Sequence, residues 1–199
     1  MRNKRQNNKA FTLIELMIAT TLFTIIMMMG VGALVVSSNA AKVSQKLRIA
    51  VDNVNFAMES MTRELRMGTH YQCETIAVNL NIVSDDDCHL GEASGNIIAF
   101  TPQQTPGAPT RVSYQLVSRA NGTKSLQRCE KGVTPCPEIV SDDVDINELK
   151  FYVKGADETT TGVQPSVIIL IKGIVTVKNK NISKSFTLQT MTSQRSAEK

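Results

Sequence analysis

A chain of 199 residues with 22 basic and 18 acidic side chains has room for one long membrane helix and one domain with a modest core. The positive charge gathers at the front, where Arg2, Lys4, Arg5 and Lys9 stand with no acid among them, and the near-neutral remainder gives no basis for nucleic-acid binding. No Gly-x-Ser-x-Gly, His-Glu-x-x-His or phosphate-loop pattern occurs, and nothing around His70 or His89 resembles a nucleophile with its base, so no catalytic residue is assigned and no enzyme is expected.

The basic cluster reads as a cytoplasmic anchor under the positive-inside rule. It precedes a run, Leu16 to Ala41, that carries no formal charge and is long enough to span a bilayer as a helix. A secretory signal has a shorter apolar stretch. The one feature favouring a signal is Ser38-Asn39-Ala40, a small-x-small pattern whose cleavage before Ala41 would release a soluble domain. Glu15 stands at the head of the run. An acid in a membrane span is costly and marks a functional site by default; the bland alternative is an acid near a helix N-terminus that reaches the interface.

The run continues without proline into an amphipathic segment. Leu47, Val51, Val54, Met58, Met61 and Leu65 recur at steps of four and three, the stripe of a helix with one buried face, while Lys46, Arg48, Asp52, Glu59 and Arg63 lie off it. Gly68 is the expected C-cap. Gly30 and Gly32 could loosen the helix or admit a close neighbour.

Beyond Gly68 the composition turns polar and rich in β-formers. Strands are predicted at Asn96–Phe100, at Val112–Leu116 with its period-two alternation, and at Lys124–Arg128 across an Asn121-Gly122 turn. Further strands are predicted at Leu149–Val153, at the β-branched run Ser166–Val177 as a central strand, and at Ser183–Thr190 after a turn at Asn179-Lys180-Asn181. Thr101–Pro109 is read as loop. One long helix followed by an antiparallel sheet is an α+β arrangement in which the sheet buries the helix stripe.

All four cysteines lie beyond the span, and their even number suits two disulfides outside the cytoplasm. The close Cys-x-x-Cys pairs of zinc modules are missing, so metal ligation with His70 or His89 is the weaker reading. Four cysteines allow three pairings; Cys73–Cys88 and Cys129–Cys136 are favoured because each pair brackets a polar loop. Asp85-Asp86-Asp87 and Asp142-Asp143-Asp145 are read as solvated turn acids, since neither sits in the helix-flanked loop of a calcium site. No metal and no cofactor is assigned. The sequons at Asn121 and Asn181 are read as turns.

The stretch Lys9-Ala10-Phe11-Thr12-Leu13-Ile14-Glu15, behind a short basic leader and ahead of a long apolar helix, resembles the cleavage and methylation motif of prepilins, the precursors of type IV pilins and of type II secretion pseudopilins. The segments AMESMTRELRMG, TRVSYQLVSR, LQR, VSDDVDINELKFYV and SFTLQT resemble, more loosely, the J-type minor pseudopilins. The resemblance implies a pilin-like fold with residues 1–10 as leader, 11–41 as the membrane half of the helix, 42–68 as its amphipathic half and 69–199 as an extracytoplasmic β-sheet domain. It implies cleavage by a prepilin peptidase between Ala10 and Phe11, N-methylation of Phe11, and a role for Glu15 in assembly. Ala10 stands where the family usually has glycine, which bears on the rate of cleavage. The implied partners are the peptidase, other pilin or pseudopilin subunits and the inner-membrane assembly platform. The expected location is a single pass through the inner membrane with a cytoplasmic N-terminus, then an extracytoplasmic filament. The function implied is a structural subunit, a minor pseudopilin of a type II secretion system first. A pilin of a surface or DNA-uptake pilus, or an anchored extracellular binding domain that does not polymerise, are the alternatives.

Overall fold

The computed structural model describes residues 11–75, 78–88, 95–103, 110–156, 162–177 and 182–195. The leader with Ala10, His89, most of the Thr101–Pro109 loop and the Asn179–Asn181 turn lie outside them. Helix α1 covers Leu13–Arg66, and the chain divides into two units, Met1–Gln45 and Lys46–Lys199.

In the first unit the described part of α1 is one face of apolar side chains after another, with Leu13, Leu16, Phe23, Met28 and Leu34 all more than half exposed. This is the one helix, among the described residues, long and apolar enough to cross a membrane. Its threonines do not leave their hydroxyls unpaired. Thr20 and Thr21 donate to the Met17 carbonyl at 3.0 Å, and Thr24 donates to Thr21 at 2.8 Å. Such back-bonding satisfies polar groups within the helix, as a hydrocarbon environment requires.

In the second unit the remainder of α1 buries Ala50, Val54, Ala57, Met58, Met61 and Leu65. The expected stripe is shifted at its start. Leu47 packs at the margin of the core and Val51 is half-buried, while Ala50 and Ala57 take the inner positions. Neighbouring residues lie about 100° apart around a helix, so a small rotation exchanges Val51 for Ala50.

The helix stops at Arg66, ahead of the expected cap. Gly68 has no left-handed φ and opens strand β1 instead. It is small for another reason: a Cβ there would stand 2.6 Å from Cδ2 of Phe100. The last carbonyls of α1 are satisfied from elsewhere. Glu64 O accepts the Met67 amide at 3.2 Å, and Arg66 O accepts the Arg195 amide at 2.7 Å. Leu65 O accepts the buried Tyr71 hydroxyl at 2.6 Å. Burial pushes the Tyr71 phenol well above its ordinary value, so it remains a donor.

Four strands, β1 (Gly68–Glu74), β2 (Ile97–Pro102), β3 (Val112–Ser118) and β4 (Lys124–Glu130), form an antiparallel sheet in chain order. Gly122, at φ 83°, supplies the turn between β3 and β4. Three longer strands, β5 (Val144–Lys154), β6 (Ser166–Val177) and β7 (Ile182–Ser193), form a second antiparallel sheet with β6 in the middle. Among the described residues the strands thus make two sheets where one was expected. The outer edge of β4 is already taken: Arg128 donates its amide to Pro137 O at 3.1 Å and Ile139 donates to Leu126 O at 2.9 Å, so β5 starts a new sheet. β5 is tied back by short bridges from Cys88 and Gly95 to Val153 and Phe151.

Ile98, Phe100, Tyr114 and Leu126 from the first sheet and Phe151, Val167, Ile169 and Ile171 from the second meet the helix stripe in one core. Fully burying side chains of this size is worth about 1.5–3 kcal/mol each. Polar clamps set the register of helix on sheet. The half-buried Glu64 carboxylate accepts the Tyr114 hydroxyl at 2.8 Å and Arg128 Nε at 3.1 Å. Burial alone would lower the Arg128 guanidinium, but Glu64 beside it holds it above its usual value. Arg119, nearly buried, reaches Glu138 at 2.7 Å, Ser125 Oγ at 2.9 Å and the Val144 carbonyl at 3.0 Å, and so ties the start of β5 to the β3–β4 hairpin.

Candidate functional site

The head of α1 carries a closed pair of side chains. Leu16 donates its amide to the Thr12 carbonyl at 3.3 Å, the first bond of the helix, which makes Thr12 its N-cap and Glu15 the third helical residue. The Thr12 hydroxyl accepts the Glu15 amide at 3.4 Å and donates to Glu15 Oε2 at 3.0 Å. Glu15 Oε2 in turn accepts the Thr12 amide at 3.0 Å. This reciprocal arrangement is a capping box, in which two otherwise orphaned backbone donors are satisfied.

Two consequences follow for the acid. It sits where the helix dipole favours negative charge. It also reserves one carboxylate oxygen for Thr12 and leaves the other, Oε1, without a hydrogen bond among the described residues. The side chain is exposed, as are Phe11 at 84 % and Leu13 at 78 %. Thr12 was not singled out from the sequence. The signal was present, since Thr-x-x-Glu ahead of an apolar run is the capping-box pattern.

The cysteines lie in the second unit. The structure joins Cys73 to Cys88 with a Cα separation of 6.0 Å and Cys129 to Cys136 with 4.7 Å. The first bond ties β1 to the segment that bridges β5; the second closes the loop after β4. His70 Nδ1 lies 3.3 Å from Asp85, while Ser84 donates to Asp86 at 2.8 Å. The Asp87 carboxylate accepts the Gly155 and Ala156 amides at 3.1 and 2.6 Å. Asp145 accepts the Lys124 amide at 2.7 Å. These acids face separate partners, and among the described residues no group of three or more His, Cys, Asp or Glu converges.

A protein-family profile described as the prokaryotic N-terminal methylation motif matches residues 5–31. That span holds Ala10, Phe11, the capping box and the first half of the apolar run. No curated protein and no solved structure matches the chain. The matched motif supports a type IV pilin-like chain, and a helix long enough to cross a membrane together with an α+β architecture agrees with it.

Proposed function

We propose that the chain is a minor pseudopilin of a type II secretion system, a filament subunit without catalysis of its own. The observation that carries the reading is Glu15, held at the start of α1 ahead of the uncharged run Leu16–Ala41, within a matched methylation motif. A prepilin peptidase cuts between Ala10 and Phe11 and the new amine of Phe11 is methylated. Residues 11–41 hold the mature subunit in the inner membrane with the leader side cytoplasmic. Residues 42–68 and 69–199 stand outside, where disulfides form.

Cleavage leaves a cationic amine one helical turn from the acid. Within one subunit Glu15 Oε2 is engaged by Thr12, and Oε1 is left to pair with the Phe11 amine of a neighbour displaced along the axis. Pairing the two charges relieves part of the cost of holding each in a membrane. Glu15 therefore draws an incoming subunit into register, and the assembly platform and other subunits are its partners.

Mass spectrometry of the N-terminus after co-expression with a prepilin peptidase tests the processing. The expected product begins with N-methyl-Phe11. An intact Met1 identifies a plain anchored domain, and a product beginning at Ala41 identifies a secreted one. Deleting the gene should then abolish protein secretion and leave surface pili and DNA uptake in place; the opposite outcome assigns the subunit to a pilus.

A further inference from the structure

Of the asparagines in the chain, Asn121 alone is followed by glycine. It stands at the tip of the β3–β4 hairpin, where Asn121 and Gly122 are both exposed. The hairpin closes through Arg119, which donates its amide to the Thr123 carbonyl at 2.8 Å and accepts the Gly122 amide at 3.1 Å. With Gly122 at φ 83°, this is a short loop that ends on a left-handed glycine. The Asn121 side chain is folded onto the same loop. Its Oδ1 accepts the Thr123 amide at 3.0 Å and the Thr123 hydroxyl at 2.7 Å.

A side-chain carbonyl bonded to the amide two residues on makes an Asx turn. The ring so closed mimics a β-turn, and it folds Cγ of the asparagine back over the nitrogen of the next residue. Holding two reacting atoms in such an approach removes much of the entropic barrier to joining them. The hydrogen bonds to Oδ1 also polarise the carbonyl and make its carbon the better electrophile. The next residue then decides the outcome. Gly122 brings no side chain, and the space where a Cβ would stand is open. Asn79 supplies the comparison within the same molecule. Its Oδ1 accepts the Asn81 amide at 3.0 Å in the same kind of ring, but the nitrogen beneath it belongs to Leu80, whose side chain crowds the approach.

We infer that Asn121-Gly122 is a self-modification site, at which the protein converts its own asparagine into aspartate and isoaspartate. The Gly122 main-chain nitrogen gives its proton to hydroxide and forms a bond to Asn121 Cγ. The Cγ–Nδ2 bond breaks, and ammonia leaves with a proton from water, which restores the hydroxide. The product is a succinimide. Water then opens the ring at one of its two carbonyls: opening at Cγ leaves aspartate, and opening at the main-chain carbonyl leaves isoaspartate. The bond from Gly122 to the Arg119 carbonyl has to open first, and the tip of an exposed hairpin opens at low cost. Isoaspartate carries the main chain through the former side chain, so the loop lengthens by one atom and Thr123 loses its Oδ1 acceptor. The Ser118↔Lys124 pair beside it loosens. None of these steps rests on the filament reading.

The test incubates the full-length, folded protein in detergent micelles and follows it by peptide mapping with mass spectrometry. The peptide holding Asn121 should gain the mass expected when an amide becomes an acid. Isoaspartate is recognised by its resistance to a protease that cuts before aspartate. The rate should rise about tenfold between about pH 7 and about pH 8, in step with hydroxide. It should exceed the rate at Asn79 by about tenfold or more. Asn121→Gln, which would have to close a larger ring, should stay unmodified. In the aged sample hydrogen exchange across residues 117–125 should quicken, with β5, β6 and β7 unchanged. Asn121 left intact in the folded protein while it converts in urea overturns the inference, because the fold then protects the site. Aspartate without isoaspartate overturns the cyclic route, and equal conversion at Asn79 overturns the part given to glycine.

Discussion

Removing the two disulfides one at a time should give two unequal losses of stability. Cys73–Cys88 encloses 15 residues of sequence separation and Cys129–Cys136 encloses 7. In the chain-entropy relation these loops contribute about 3 and about 2.4 kcal/mol by restricting the unfolded chain. For a protein of this size each kcal/mol moves Tm by about 2–4 °C. The Cys73→Ala/Cys88→Ala variant should therefore melt about 6–12 °C below the wild type, and Cys129→Ala/Cys136→Ala about 5–10 °C below. The two reach different parts of the fold. The first bond joins β1 to the segment that bridges β5, so its loss should loosen the contact between the sheets; the second is local to the loop after β4. Thermal unfolding of the full chain in detergent, with hydrogen exchange by segment, measures both. Non-reducing peptide mapping of protein taken from cells identifies the bonds. Crossed pairs would refute the connectivity. Free thiols in membrane-extracted protein would refute the extracytoplasmic placement of the domain. A larger loss from the shorter loop would refute the entropic account of the magnitudes.

Three further outcomes are expected. Glu15→Gln keeps an acceptor for the Thr12 amide and loses the charge, whereas Thr12→Val loses the hydroxyl and keeps the charge. Filament incorporation should fall much further in the first than in the second, as measured by the sheared filament fraction against the membrane pool, and the reverse order would make Glu15 a helix cap and nothing more. Gly68→Ala forces a methyl against the Phe100 ring and should cost about 1–3 kcal/mol, seen as a lowered urea midpoint at unchanged m. At Glu138 desolvation pulls upward, but hydrogen bonds from Ser125 and Arg119 outweigh it and hold the carboxyl below its usual range. Its contribution is therefore complete above the unfolded value of about 4.3 and is lost as pH falls through the lower folded value. Wild-type Tm should drop more steeply below about pH 4 than that of Glu138→Gln, and parallel curves would remove Glu138 from acid unfolding.

What the sequence made legible was what periodicity encodes. The uncharged run after Glu15, the Val54–Met58–Met61–Leu65 stripe and the alternating β6 strand each bury or expose a repeating face, and each lies where the pattern puts it. The Asn121-Gly122 turn was legible because a left-handed φ there selects glycine. β1 was not. Gly-Thr-His-Tyr-Gln-Cys-Glu has little β-branched character, and it is held as a strand by Tyr71 under the helix end and by pairing with β2 across a bulge. The buried arginines were hidden for the same reason. Arg111 and Arg119 look like surface residues in sequence, and only tertiary contacts show that one spans His70, Gln72 and Ile82 while the other gathers the start of β5. Gly68 was read as a cap because local sequence cannot show the Phe100 ring that arrives from another strand.

The bond from Arg195 to the Arg66 carbonyl joins the end of the helix to the far end of the described chain. A polypeptide emerges from the ribosome N-terminus first, so the helix is made long before the residue that finishes its last turn. Until β7 and Arg195 have emerged, that carbonyl lacks its partner and β6 lacks one flank. A nascent chain that has not yet reached Arg195 thus carries the whole helix without the bond that closes its last turn.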